Sequence, residues 1–273
     1  MELKTTCYEV DDNIATITLN RPHRMNAWTG RMHTEYRFLL QQADQDAAVR
    51  VIIVTGAGRG FCVGADSQAL EGHAEKGGYD PGTPDPLAMP GKGVRDEFEA
   101  SFAYHFAVGK PVIAAINGPA AGVGLVLACF ADIRFAVPGV KMTTAHGKLN
   151  FPAEFGLSWL LPRQIGLARA NDLLLTSRVF TTDEAFEMGL INRLVAPADL
   201  LATTRDYAAT MKNTVSPGSL RETKWQIYTD LHRDVASAVN NSEELLDRMS
   251  REENYREGVQ AFLEKRPPRW SNE

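Results

Sequence analysis

The sequence predicts an α/β fold that ends in a helical region, and three observations support this. Short apolar runs typical of buried strands alternate with segments of helical pattern. Glycine-rich turns follow two of these runs. Strand signals stop near Leu200, and the remainder is helical in pattern, with a break at Pro217-Gly218. We therefore expect a core over residues 1–200 and a C-terminal helical region over residues 201–273.

The first elements follow from local pattern. Residues Ile14 to Leu19 alternate and are rich in β-branched side chains, which predicts a strand. Asp11-Asp12-Asn13 predicts a turn, so that Tyr8 to Val10 forms the first arm of a hairpin. Thr29 is the expected N-cap of a helix that ends near Asp44. The apolar run at 51–55 predicts a buried strand.

Residues 72–93 are too rich in proline and glycine for regular structure. A long loop in a compact domain is typical of a functional or disordered segment, so a flap over a pocket and a plain insertion both remain open. After it we expect a helix over Val94 to Val108 and a strand at 112–116. A helix from Gly122 to Phe130 and a strand from Asp132 to Val137 complete the predicted core.

Composition excludes several classes of function. The 273 residues are 44% hydrophobic and carry a formal net charge of −5, which gives no electrostatic footprint for nucleic acid or an anionic membrane. The most apolar stretch, Ala120 to Ala131, is too short to span a bilayer. Three widely spaced cysteines without a C-x-x-C pair predict reduced core thiols in a cytoplasmic protein, with neither zinc nor disulfides.

The two glycine-rich turns carry the chemical signal. They are Gly60-Phe61-Cys62-Val63-Gly64-Ala65-Asp66 and Asn117-Gly118-Pro119-Ala120-Ala121-Gly122-Val123-Gly124. Each follows a predicted strand and precedes a predicted helix, an arrangement that leaves backbone N–H groups without helical partners. Two such turns facing each other could hold a developing oxyanion between two amides.

These segments resemble the crotonase, or enoyl-CoA hydratase/isomerase, superfamily. The match runs nearly end to end in the order and spacing of several segments: Asn20-Arg21-Pro22 with Met25-Asn26-Ala27, Val51 to Asp66, Lys110 to Gly122, Leu161-Pro162-Arg163, Gly189-Leu190-Ile191-Asn192, and Ala261 to Arg266. The resemblance implies a spiral of ββα units with a C-terminal helical region. It also implies a homotrimer or a dimer of trimers acting on an acyl-CoA thioester, with coenzyme A as part of the substrate and no other cofactor or metal.

The resemblance also assigns roles to residues. The two oxyanion-hole amides map onto the N–H groups of Ala65 and Val123, each flanked by a glycine. Arg24 matches a residue that meets the coenzyme A phosphates. The rest of the ligand path maps onto Ala27, Gly64, Asp66, Ser67, Gln68 and Gly122, with Phe262 and Lys265 reaching the ligand from the helical region. For Asp66 helix capping is an alternative role, and for Phe262 and Lys265 ordinary helix packing is the alternative.

The chain departs from the paired-glutamate pattern of the family's hydratases. Val126 stands where one glutamate is expected, and Thr143 to Lys148 contains no carboxylate for the other. Glu154 resembles an acidic catalytic position of some isomerases and hydrolases, where a single carboxylate can remove and return one proton. His146 is the second candidate for the acid/base. A structural role is the alternative for both residues.

We therefore expect an acyl-CoA enzyme of hydratase/isomerase type that stabilises a thioester enolate. The absence of the glutamate pair leaves two alternatives. One is a carbon–carbon bond hydrolase on the same fold. The other is a catalytically silent acyl-CoA-binding scaffold.

Overall fold

The computed structural model describes residues 1–78 and 82–271, and its element order confirms the α/β prediction. The strands are β1 (Thr6–Asp11), β2 (Ile14–Leu19), β3 (Val51–Gly56), β4 (Val112–Ile116), β5 (Ala120–Ala121), β6 (Ile133–Ala136), β7 (Lys141–Thr143), β8 (Phe180–Thr181) and β9 (Arg193–Leu194). The helices of the core are α1 (Gly30–Gln45), α2 (Ser67–Lys76), α3 (Tyr104–Ala107), α4 (Val123–Phe130), α5 (Leu157–Ile165), α6 (Leu167–Thr176) and α7 (Thr182–Glu187).

The main sheet has the strand order β1-β2-β3-β4-β6-β9. Only the β1–β2 hairpin is antiparallel, and the other neighbours pair in parallel. The hairpin turns at Asp12 and Asn13, whose φ values of 46° and 61° are the left-handed values that a tight hairpin requires. Strands β5, β7 and β8 form a smaller sheet.

The core lies on both faces of the main sheet, which explains the unbroken apolar runs of β3 and β4. One cluster packs α1 and α4 against one face, while a second packs Leu200 and Ala208 against Ile53 and Ile113 on the other. These last helical residues belong to α8 (Leu200–Thr214), which contacts β2, β3, β4 and β6. The first helix after residue 200 therefore shares the core of the α/β unit, and the proposed boundary at 200 remains a prediction.

The remaining helices confirm the helical pattern of the C-terminal region. They are α9 (Pro217–Asp230), α10 (Val235–Met249) and α11 (Glu253–Glu264). Asp132, immediately before β6, holds α9 in place, because its carboxylate accepts from Tyr228 at 2.7 Å and pairs with Lys224 at 2.8 Å. Within the described ranges, no helix is both long and apolar enough to cross a membrane.

The predicted helix over 94–108 is wrong. The structure has a short 3-10 turn at Asp96–Phe98 and the single-turn helix α3. Phe102 lies between them with φ at 62°, a left-handed value that interrupts a right-handed helix. Its ring is buried, so the helix-like spacing of phenylalanines reflects a loop that supplies core side chains.

The predicted loop at 72–93 begins too early, because α2 continues to Lys76. Residues 79–81 lie outside the described residues. From Gly82 onward the segment packs on α1, where Arg37 donates to the Ala88 carbonyl at 2.6 Å and Gln41 accepts from Met89 N at 3.0 Å.

All three cysteines are free, as predicted, but only Cys62 and Cys129 are core thiols. Cys7 is exposed, because it lies on β1, the edge strand of the main sheet.

Candidate active site

The two glycine-rich turns lie side by side at the carboxyl ends of β3 and β4. Asn117 joins them, since its side-chain oxygen accepts from Gly56 N at 3.1 Å and its amide donates to the Gly58 carbonyl at 3.0 Å. A backbone bridge between Cys62 and Ala120 continues the pairing. The buried Asn26 holds the first turn from the other side by donating to the Gly60 carbonyl at 2.7 Å. The turns are therefore fixed to each other before any ligand binds.

These contacts leave the backbone N–H groups of Ala65 and Val123 unused. Ala65 forms a short parallel bridge with Trp28, in which Trp28 N donates to Gly64 O and Asp66 N donates to Trp28 O. The N–H of Ala65 lies between these two bonds along the chain and therefore points away from Trp28. Val123 begins α4 and has no preceding turn to donate to. Within residues 1–78 and 82–271, neither N–H donates to a protein acceptor.

Glycines 64 and 122 allow the turns to touch. Their φ values are 98° and 49°, in the region that disfavours other residues. A Cβ on Gly122 would lie 3.7 Å from the Cα of Gly64, and a Cβ on Gly64 would lie 3.2 Å from the Ala121 carbonyl oxygen. A side chain would be strained by the positive φ at either position, and at Gly64 it would also crowd the Ala121 carbonyl.

A cavity of about 140 Å³ opens between the turns. It brings together six of the sequence-predicted site residues, which are Gly64, Ala65, Gly122, Val123, His146 and Glu154. Much of the remaining wall is apolar and comes from the residues before α1, the first glycine-rich turn, α2 and the segment after β7, including Trp28, Val63, Ala69, Leu70, Leu149, Phe151 and Phe155. No residue of the described part of the 82–93 segment lines it, so α2 forms the wall where the sequence suggested a flap.

Glu154 is the only carboxylate among the described residues that line this cavity. It begins the 3-10 turn Glu154–Gly156, and its Oε2 would lie 3.6 Å from a Cβ on Gly122, beside the start of α4. In the described part of the chain its carboxylate has no hydrogen-bond or ion-pair partner, so it does not cap the helix at Leu157. Burial raises the pKa of the Glu154 carboxyl above its usual range.

His146 reaches the same cavity from the 3-10 turn His146–Leu149. The residue is 5% exposed, and its Nδ1 is buried without a partner among the described residues. The chain enters this turn through Ala145 at a φ of 60°. The structure therefore leaves both acid/base candidates, Glu154 and His146, in one cavity with the two amides.

Comparison with known proteins identifies the family. The enoyl-CoA hydratase/isomerase family model matches residues 9–273. The chain belongs to the enoyl-CoA hydratase/isomerase family. It is 33% identical over 273 residues to the 1,2-epoxyphenylacetyl-CoA isomerase of Escherichia coli, covering 96% of each chain. A probable enoyl-CoA hydratase of Mycobacterium tuberculosis is 37% identical over 262 residues, covering 93% of this chain and 88% of that protein.

Solved structures agree with this assignment. A probable enoyl-CoA hydratase/isomerase from Mycobacterium abscessus superposes with a TM-score of 0.83 at 29% identity, over 100% of both chains. A family protein from Hyphomonas neptunium gives 0.84 at 30% identity, over 99% of this chain and 98% of that one. The crotonase-like fold and the enzyme class that the sequence predicted are confirmed.

Val126, at the position where the resemblance places a hydratase glutamate, is a core residue. Val126 is 0% exposed in α4, packs in the main core cluster and does not line the cavity as far as the chain is described. No metal-binding cluster of histidine, cysteine or acidic residues occurs in the described ranges.

A charged cluster lies beside the cavity at the start of α2. Asp66 caps this helix by accepting from Gln68 N, and its carboxylate pairs with Arg21 at 2.9 Å and Arg24 at 3.3 Å. Burial opposes ionisation of Asp66, but the hydrogen bonds from Arg21, Gln68 N and Arg24 outweigh it and lower its pKa. The capping role suggested for Asp66 is therefore present, and Arg24 stands on the surface with its side chain 40% exposed.

The other predicted ligand contacts divide into two groups. Ala27 is buried beside the charged cluster, where its carbonyl accepts from Arg21 at 2.6 Å, while Ser67 and Gln68 are exposed in the first turn of α2. Phe262 and Lys265 lie instead on α11 and its C-cap, and Phe262 lines a separate groove with residues of α9 and α10. Within the described chain, neither residue lines the cavity.

Sequence reasoning missed five aromatic residues of the cavity wall, which are Trp28, His33, His73, Phe151 and Phe155. Phe155 has a φ of 47° and also lines a second cavity of about 390 Å³, together with Phe98, Phe106, Phe130 and Trp159. No local signal marks these residues, because they look like ordinary core side chains.

Proposed function

We propose that the chain is an enoyl-CoA isomerase that moves a proton between carbons of a thioester held at the Ala65 and Val123 amides. The observation that carries this is the position of Glu154, the single carboxylate among the described cavity residues, beside the start of α4. A single carboxylate suits a reaction in which the same group removes and returns a proton. The name of the 33%-identical Escherichia coli isomerase is consistent with this choice.

The thioester oxygen accepts from the two N–H groups, and these stabilise the enolate as negative charge develops. Glu154 removes a proton from C2 of a 3-enoyl thioester and returns it at C4, which gives the conjugated 2-enoyl product. The raised pKa of Glu154 helps it to act first as base and then as acid. Val126 is buried in the core, so this position provides no second carboxylate to activate water for hydration.

The test is the conversion of 3-enoyl-CoA to 2-enoyl-CoA, followed by the absorbance of the conjugated thioester. Glu154→Gln should lower kcat by about 100-fold or more, the range of general acid–base catalysis. The exposed Glu187→Gln, on α7, serves as the matched control and should leave kcat unchanged. Undiminished turnover in Glu154→Gln would reject the role of this carboxylate. Hydration of crotonyl-CoA is the parallel assay for hydratase chemistry.

The unpartnered Nδ1 of His146 favours a second candidate, a carbon–carbon bond hydrolase in which this imidazole activates water. His146→Phe should then abolish cleavage of a 3-oxoacyl-CoA, whereas in the isomerase it should leave proton transfer by Glu154 largely intact. Calorimetric titration with acyl-CoA tests the alternative of a catalytically silent scaffold, because binding without any product would support it.

We further propose that no cofactor is needed beyond the coenzyme A of the substrate, since a carboxylate and backbone amides complete the proton transfer. Activity that survives dialysis against EDTA would support this. We place the enzyme in the cytoplasm on the strength of its three free cysteines, to be checked by cell fractionation.

A trimer or a dimer of trimers is the proposed assembly. Large apolar side chains on α10 and α11 are exposed, with Leu246 at 69%, Phe262 at 82% and Leu263 at 73%. They border a groove of about 970 Å³ between α9, α10 and α11. Exposed apolar surface of this kind is typical of protein interfaces. Analytical ultracentrifugation tests the assembly, and Phe262→Asp should shift it toward the monomer.

A further inference from the structure

His33 on α1 lines the same cavity as the two amides and Glu154. The residue is 6% exposed and lies in the first turns of the helix. Its ring stacks on Phe102 at 5.8 Å with an interplanar angle of 8°, and it meets Trp28 at 5.9 Å. Aromatic neighbours therefore hold the imidazole in place, and neither of these two ring contacts supplies a hydrogen bond to it.

The Nε2 atom of His33 is buried and has no hydrogen-bond partner within the described chain. Buried polar atoms without partners are destabilising and rare in native proteins, so each one calls for an explanation. The Tyr36–His105 pair nearby shows the ordinary solution, because a hydroxyl lies 2.7 Å from Nε2 of His105 and a carbonyl lies 2.7 Å from its Nδ1. His33 differs in that it borders space that a ligand can enter.

The charge of His33 limits what that ligand can be. Burial, together with repulsion from the Arg37 guanidinium, lowers the pKa of His33 to about 4. The ring is therefore neutral at neutral pH, and each of its nitrogens either donates or accepts according to the tautomer. A hydroxyl group satisfies both tautomers, since it donates and accepts. A carboxylate gains no ion pair from a neutral ring.

We propose that His33 is a specificity-determining residue that hydrogen-bonds a hydroxyl group on the acyl part of the thioester. This rests on the proposed function, because it assumes that the thioester lies between the Ala65 and Val123 amides. The preferred substrates are then hydroxylated acyl-CoA thioesters. A plain alkyl chain leaves Nε2 without a partner, and sites built to bind a hydroxyl discriminate strongly against analogues that lack it.

The test compares 3-enoyl-CoA thioesters with and without one hydroxyl, at equal chain length, with the hydroxyl moved along successive carbons. The wild type should show at least a 10-fold higher kcat/KM for one hydroxylated member than for its plain counterpart. His33→Phe keeps an aromatic ring between Trp28 and Phe102 but removes both nitrogens. It should abolish this preference, because kcat/KM falls more for the hydroxylated thioester than for the plain one.

His33→Gln, which can still donate and accept, should restore part of the preference. His33→Phe should also keep or raise the Tm of the free protein, since it removes an unpartnered buried atom, whereas a purely structural histidine would lose stability. Equal losses on both substrates, or no preference in the wild type, would overturn the proposal.

Dissociation constants for the same thioesters separate this proposal from the proposed function. A hydroxyl preference in binding that His33→Phe removes supports the role of His33 even if no thioester is turned over and the isomerase assignment fails. A hydroxyl preference that persists unchanged in His33→Phe would overturn the role of His33 while leaving the isomerase assignment standing.

Discussion

Gly124 packs so closely on Cys62 that a Cβ on Gly124 would lie 2.0 Å from the Cys62 carbonyl oxygen. Gly124 is in the first turn of α4, one residue after Val123, and Cys62 is three residues before Ala65. The contact therefore sets the distance between the two turns that carry the unused N–H groups. The requirement for glycine here comes from the facing backbone, because Gly124 has no left-handed φ.

Gly124→Ala should move α4 away from the first turn and weaken both stability and catalysis. Overpacking of this kind typically costs about 1–3 kcal/mol of unfolding free energy. We expect a lower Tm and a fall in kcat that exceeds the change in KM. Gly72→Ala is the matched control, since Gly72 lies inside α2 with no atom near its Cβ position, and it should stabilise by about 0.5–1 kcal/mol. Equal behaviour of the two variants would contradict the contact's role.

Glu154→Gln should stabilise the protein while it lowers activity. Burial raises the folded-state pKa of Glu154, so the folded state binds the proton more tightly than the unfolded state does. The wild type therefore loses stability as pH rises from 4.5, the ordinary pKa of a glutamate, through the folded-state pKa, and the variant does not share this loss. Denaturant unfolding at several pH values measures the difference, which should grow over that window and then stay constant.

Arg24→Met should weaken the binding of acyl-CoA more than that of the corresponding acyl-pantetheine, which lacks the nucleotide phosphates. Arg24 is partly exposed, and Asp66 keeps its stronger contact with Arg21 when Arg24 is lost. We expect a several-fold rise in KM for the coenzyme A ester, an unchanged kcat and a smaller salt dependence. An equal rise in KM for both esters would indicate that Arg24 does not contact the coenzyme A phosphates.

Arg37→Met should loosen the segment after residue 82. The guanidinium is buried, donates to the Ala88 carbonyl and contacts Met89, so its loss leaves a carbonyl without its partner. We expect a cost of about 1–3 kcal/mol and faster proteolysis near residues 88–89. The control is Arg251→Met, which breaks an exposed pair with Asp247 and should leave both Tm and cleavage nearly unchanged.

The sequence was most informative where backbone geometry alone determines structure. Apolar runs predicted β3 and β4, and Thr29 was correctly identified as the N-cap of α1, where it accepts from Met32 N. Gly64 and Gly122 marked the turns because their conformations demand glycine. Such signals are local, so they can be recognised in the sequence without knowledge of tertiary contacts.

Side chains that reach the site from distant elements could not be predicted in this way. His33 lies on the buried face of α1, where a cavity wall and a core look alike in sequence. The helix expected over 94–108 was wrong because Phe98, Phe102 and Phe106 have helical spacing but are drawn into the core by a loop. Phe262 was assigned to the ligand path, but among the described residues it lines the groove between α9, α10 and α11 and not the cavity.

Phe155 contributes to the walls of two cavities of unequal size. Under the proposed function, we expect a smaller side chain at this position to connect the two cavities and to lengthen the acyl tail that fits. A single substitution could then change the range of accepted tails without any change to the amides or to Glu154.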